Sequence, residues 1–241
     1  RDAQESRGLG DVYKRQGTAL YNPTEGYGSY LIPAVLIIII FQTLLMVTGM
    51  IAGRERYEGT LLFHARNGLG FGRMADAVAG KTFAYCTLYA VFALFLVGLL
   101  PGLFSIPHIG SGWNTVMLFI PYLLATCFFG LTGSLFFADS ESPILMITFF
   151  SVGLIFLSGI SYPLELMPWY WRAFHFVIPA PPAVLAFIKL NSMDATMADI
   201  RTEYLTLWLQ CAFYFVTACL VFRYNIRRAM ERRVPARMGR Q

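Results

Sequence analysis

One stretch has the spacing of a nucleotide-handling motif. Ala75-Asp76-Ala77-Val78-Ala79-Gly80-Lys81-Thr82 fits a loosened phosphate-binding loop, with Ala where the first Gly usually stands. Such a loop works by turning backbone N–H groups onto phosphate between a strand and a soluble helix. Here the residues instead open an apolar run, and Lys81 stands where a long side chain snorkels to the head groups. The chain itself is therefore expected to hydrolyse nothing. Other reactive groups are sparse. Cys86, Cys127, Cys211 and Cys219 all fall inside apolar runs with no CxxC or Cys/His ligand spacing, so buried thiols are expected and no metal site. His64, His108 and His175 are isolated from one another and assemble no catalytic constellation.

The elements that would carry these residues are membrane spans. Of 241 residues 56% are hydrophobic and 14% charged, too apolar for an ordinary soluble domain. A helix of about 20 apolar residues crosses a hydrocarbon core of roughly 30 Å. Five runs have about that length: 31–52, 82–104, 115–137, 144–161 and 205–222. No alternating strand pattern competes with them, so an all-α polytopic membrane protein is expected. Between the runs lie a polar segment, 53–81, and a long mixed segment, 162–204, and a basic tail follows at 223–241. Residues 17–30 read as the end of an outer region. Asp11-Val12-Tyr13-Lys14-Arg15-Gln16 resembles the translation of a transposon-end sequencing adapter, so residues 1–16 are read as a cloning or assembly scar. On that reading the natural protein extends further upstream, with at least one more span.

Charge distribution orients the spans. Segment 53–81 holds Arg54, Arg56, Arg66, Arg73 and Lys81, and the tail holds Arg223, Arg227, Arg228, Arg232, Arg233, Arg237 and Arg240. Five spans put both on one side. The other side has Arg172, Lys189 and Arg201, offset by Glu165, Asp194, Asp199 and Glu203. The positive-inside rule makes the loop and tail cytoplasmic, and the tail arginines are expected to hold to anionic lipid. The net charge of +5 thus follows membrane sidedness and does not point to nucleic acid. None of the five runs contains Asp, Glu, Lys, Arg or His; Gln42 and Gln210 are their most polar residues. Ion-coupled carriers accept intramembrane charges to bind their ions, so this composition points to energy delivered through a loop. An ion-coupled carrier or channel, and a non-transporting anchor or assembly subunit, remain the alternatives.

Several pieces together suggest a family. Tyr21-Asn22-Pro23, Tyr27-Gly28 and Ile32-Pro33-Ala34-Val35-Leu36 precede and enter the first run, which ends in Arg54-Glu55-Arg56 and Glu58-Gly59-Thr60. With Pro163, Met167-Pro168 and Pro179, they resemble the permease subunit of type-2 ABC exporters over most of residues 17–222. The resemblance implies six spans in the intact protein, a large outer domain between the first two, and alternating access driven by a separate ABC ATPase subunit that holds ATP–Mg. This chain would bind no cofactor. A second permease copy (homo- or heterodimer) and the lipid bilayer are implied partners, and a periplasmic adaptor protein is among those allowed. The implied location is the bacterial inner membrane.

The resemblance also assigns roles. A short ATPase-coupling helix is expected within 54–73, using Arg54, Glu55, Arg56, Glu58, Gly59 and Thr60, with Leu61, Leu62 and Phe63 as docking area. In a helix Glu55 and Glu58 would share a face. Short re-entrant helices narrowing the outer exit are expected around Pro163, Met167, Pro168, Trp169, Trp171 and Pro179; an aromatic interface belt is the alternative. Gly49 with Gly53, and Gly130 with Ser134, are small-xxx-small pairs that permit close helix approach, within one chain or at a dimer seam.

Overall fold

The computed structural model describes residues 27–61, 70–99, 112–135, 141–160, 162, 164–193 and 195–238. Regular structure among them is helical. In chain order the helices are α1 (Tyr27–Glu58), α2 (Phe71–Ala93), α3 (Gly112–Gly133), α4 (Ser142–Leu157), α5 (Trp169–Val177), α6 (Ala180–Ser192) and α7 (Arg201–Met238). A π-helical turn, Leu94–Leu99, continues α2, and a 3-10 turn, Leu164–Leu166, precedes α5.

The first two helices outlast their apolar runs. α1 continues past Ala52 to Glu58, because Arg and Glu are good helix formers and Arg54 pairs with Glu58 one turn on at 2.6 Å. It stops at Gly59, whose φ of 71° is the left-handed conformation glycine adopts freely. α2 starts at Phe71 rather than at Thr82. The polar segment expected over 53–81 is thereby reduced to 59–70, of which 62–69 lie outside the described residues. The phosphate-loop-like stretch Ala75–Thr82 is entirely helical, so its N–H groups are spent within α2.

Among the described residues, four helices are long and apolar enough to cross a membrane: Leu31–Glu58, Phe71–Leu99, Gly112–Gly133 and Arg201–Glu231. α4 has 16 residues, about 24 Å of rise. It carries no charged residue but ends at Leu157, short of the expected 161, where Gly159 turns the chain at φ 83°. α5 and α6 meet at 84°, a broken span or re-entrant pair.

α3 is the hub, packing on α7, α1, α2 and α6. Its Tyr122 hydroxyl donates to the Ile37 carbonyl of α1 at 2.7 Å. Phe128 and Phe129 meet Phe215 and Tyr214 of α7, each at 5.1 Å between ring centres, and Phe119 meets Phe187 of α6 at 6.2 Å. Gly130 lies against Thr48 of α1: a Cβ there would sit 2.2 Å from Thr48 Oγ1. Gly49 and Gly53 are buried as well. The outward rows of α2 (Phe83, Leu88, Val91) and α7 (Leu209, Phe213, Leu220) stay exposed, as suits helices bathed in lipid.

Candidate functional site

The end of the bundle that carries segment 59–70 holds a charged cluster joining four helices. Lys81 of α2 donates to both carboxylate oxygens of Glu55 in α1, with Nζ–Oε1 at 2.6 Å. The same ammonium lies 4.7 Å from the centre of the Phe222 ring in α7, close enough for a cation–π contact. Arg56 donates through Nη2 to the Ser134 carbonyl, just past the end of α3. The Lys81 and Glu55 side chains are only 16% and 21% exposed, so solvent screens this pair less than a surface one. A small cavity of about 20 Å³, room for roughly one water, opens among Glu55, Leu61, Lys81, Ser134, Phe222 and Asn225.

These contacts redistribute the residues expected in a coupling loop. Arg54, Glu55, Arg56 and Glu58 lie in the last turns of α1, not in a separate loop helix. Glu55 and Glu58 do not act together: one is held by Lys81 inside the bundle, the other by Arg54 outside it. Leu61 is buried against the cavity instead of offering docking area. Gly59 and Thr60 form the turn, with the Thr60 hydroxyl donating to the Glu55 carbonyl at 3.4 Å. Leu62 and Phe63 lie outside the described residues. Exposed at this end are Arg54, Tyr57, Glu58, Thr60, Phe71 and Arg73; Tyr57, at 93%, was not singled out in the sequence.

The opposite end is built around the α5–α6 elbow. In a helix the N–H of residue i bonds the carbonyl of residue i−4. Pro181 and Pro182 have no N–H, so the Val177 and Ile178 carbonyls lose their helical partners. Two α7 side chains replace them. Tyr214 donates its hydroxyl to the Val177 carbonyl at 2.6 Å. Gln210 Nε2 donates to the Phe176 carbonyl at 2.7 Å and the Ile178 carbonyl at 3.3 Å. An unmet carbonyl in an apolar layer would cost on the order of several kcal/mol. The irregular backbone therefore persists because α7 covers it.

The two halves of the elbow differ. α6 is buried almost throughout between α1, α3 and α7, with Lys189 donating to Glu203 Oε1 at 2.5 Å near its far end. α5 exposes Trp169, Tyr170, Trp171 and Phe174 while burying His175, which bonds the Leu157 carbonyl through Nδ1 at 2.9 Å. The bent pair thus joins a helix with exposed aromatic side chains, α5, to a covered one, α6. Of the outer residues singled out in the sequence, Met167 and Pro168 lead into α5, Trp169 and Trp171 are on its exposed surface, and Pro179 is at the elbow; Pro163 lies outside the described residues. Between α6 and α7 the Thr196 backbone N–H and hydroxyl both donate to Asp199 Oδ2 at 2.8 Å, holding that carboxyl below its usual range.

Sequence reasoning missed Lys81 as the partner of Glu55, Phe222 as its neighbour, and Gln210 and Tyr214 as caps of the elbow. Gln210 alone carried a signal, because an amide in an apolar run must find a partner. Among the described residues no group of His, Cys, Asp and Glu is arranged to hold a metal. Cys86 and Cys127 approach to 3.6 Å between α2 and α3 as free thiols. No curated protein matches the chain. A family model described as ABC-2 family transporter protein matches residues 11–220.

Proposed function

Because this chain belongs to the ABC-2 transporter family, we propose that it is the permease subunit of an ATP-driven exporter. A separate ABC ATPase carries ATP–Mg and does the hydrolysis, and two permease copies flank the substrate path. The chain lies in a bacterial inner membrane with segment 59–70 and the α7 extension in the cytoplasm. The Lys/Arg excess over residues 53–81 and 223–241 supports that orientation. The ATPase docks on the exposed surface around the end of α1, where Arg54, Tyr57, Glu58 and Arg73 are available.

One observation carries this reading. The cluster of Glu55, Lys81 and Phe222 ties α1, α2 and α7 together directly beside the segment a soluble partner would push. A displacement of the α1 terminus then moves three helices together. Alternating access follows if that movement reaches the elbow at the other end.

The test is reconstitution with a separate ABC ATPase from the same genome. The two proteins should co-purify from detergent, and ATP hydrolysis should change when this chain is present. A cysteine placed at Gly70 should react with an impermeant maleimide only after cells are permeabilised. Labelling of that cysteine in intact cells, or an ATPase indifferent to this chain, would overturn the reading.

A further inference from the structure

We propose that Gln210 and Tyr214 are positioning residues that make α7 a rod, carrying movement from the Lys81–Glu55 end to the α5–α6 elbow. The inference rests on the ATP-driven reading above and adds which helix transmits the work and through which atoms.

α7 is continuous from Arg201 to Met238, with no break between the two sites. Phe222 faces Lys81, and Gln210 lies twelve residues earlier, a rise of about 18 Å. A continuous helix moves both points as one body. At the Gln210 end it holds three consecutive carbonyls, Phe176, Val177 and Ile178. Two of the three are those that Pro181 and Pro182 leave without helical donors. The elbow has no alternative of its own at those atoms, so it follows α7 or breaks the bonds. Both donors are buried.

Gln210 shows that its donor half is what matters. Its Oε1 is buried and meets no hydrogen-bond partner among the described residues. An apolar side chain would avoid that unmet oxygen, yet would leave the elbow carbonyls unheld. Thr217 of α7 gives an internal control. Its hydroxyl lies 3.0 Å from Thr132 Oγ1 in α3, an interhelical contact on the same rod that does not touch the elbow.

The experiment uses the complete permease–ATPase complex in lipid nanodiscs with cysteine at Trp169, the exposed start of α5. Labelling by an impermeant maleimide is followed without nucleotide and with trapped ATP, against the background of the native cysteines in the protein without the Trp169 substitution. Q210M keeps the side-chain length and Y214F keeps the ring, so both conserve packing; T217V is the control. Without nucleotide, Q210M and Y214F should raise the Trp169→Cys labelling rate several-fold, and T217V should not. With trapped ATP the parent rate should shift, and that shift should vanish in Q210M and Y214F while ATP hydrolysis persists. Parent-like labelling and nucleotide response in Q210M and Y214F would overturn the proposal, as would an equal loss in T217V. If the parent ignores nucleotide although Q210M still loosens the elbow, the ATP-driven reading fails and the clamp survives.

Discussion

Glu55 and Lys81 are 26 residues apart in sequence and belong to different helices, yet the Lys81 ammonium is shared between both oxygens of the Glu55 carboxylate. Removing either partner leaves a half-buried charge beside Phe222 without its counterpart. The E55Q and K81M variants should each lose about 2 kcal/mol, between the worth of an exposed pair and that of a fully buried one. The double variant should lose less than the sum, and the swap E55K/K81E should recover part of the loss. A double-mutant cycle by denaturation in detergent measures this coupling. Strictly additive losses would show that the pair contributes nothing.

Gly130 and Thr48 set how closely α1 and α3 approach. A methyl at residue 130 would sit 2.2 Å from Thr48 Oγ1, and Thr48 is itself held by bonds to the Leu44 and Leu45 carbonyls at 3.0 Å. G130A should therefore destabilise by about 1–3 kcal/mol, the range for overpacking a filled interior. The remaining neighbours, Thr48 Cβ and Leu45 Cδ1, stand at 3.2 and 3.3 Å, which small shifts relieve. T48A/G130A should thus regain most of the loss. Thermal unfolding of the purified single and double variants reads this out, and a double variant no better than G130A would refute it.

Helical class and the apolar stretches were legible because a spanning segment must satisfy its backbone internally and face hydrocarbon. Helix ends were not, for a physical reason: hydropathy records where lipid stops, whereas a helix stops where its backbone can no longer continue. At Ala52 only the first happens, and the helix runs on until Gly59. The elbow was half legible. Pro179, Pro181 and Pro182 announce a break, but the donors that make it tolerable lie on α7, 32 and 37 residues from the carbonyls they hold. Pairings such as Glu55 with Lys81 depend on which helices become neighbours, and single-sequence periodicity contains no such information.

Tyr57 and Glu58 face outward at the end of α1, whereas Glu55 faces into the bundle. Their substitutions should separate two kinds of failure. Y57E and E58R should weaken ATPase co-purification at least several-fold while leaving stability within about 0.5 kcal/mol of the parent, as exposed sites do. E55Q should lower stability with less effect on the initial association. Co-purification and thermal unfolding on the same preparations make the comparison, and undiminished capture of the ATPase by Y57E and E58R would place the docking surface elsewhere.

Asp199 controls the turn that feeds α7, and its behaviour in acid has a definite sign. The Thr196 N–H and hydroxyl stabilise the charged carboxylate, which places its folded-state pKa below the unfolded value of about 3.9. A depressed pKa means the contribution is complete above the unfolded value and is lost as pH falls through the folded one. The turn should hold unchanged from neutral pH down to about pH 4 and loosen only below it. Amide exchange at Thr196, corrected for the intrinsic pH dependence, should show this step in the parent. In D199N the amide should be less protected than in the parent at neutral pH and show no step, because the side chain no longer titrates. A step that survives in D199N would assign the titration to another group, and an amide equally protected in both proteins would mean that the turn is held without the carboxylate.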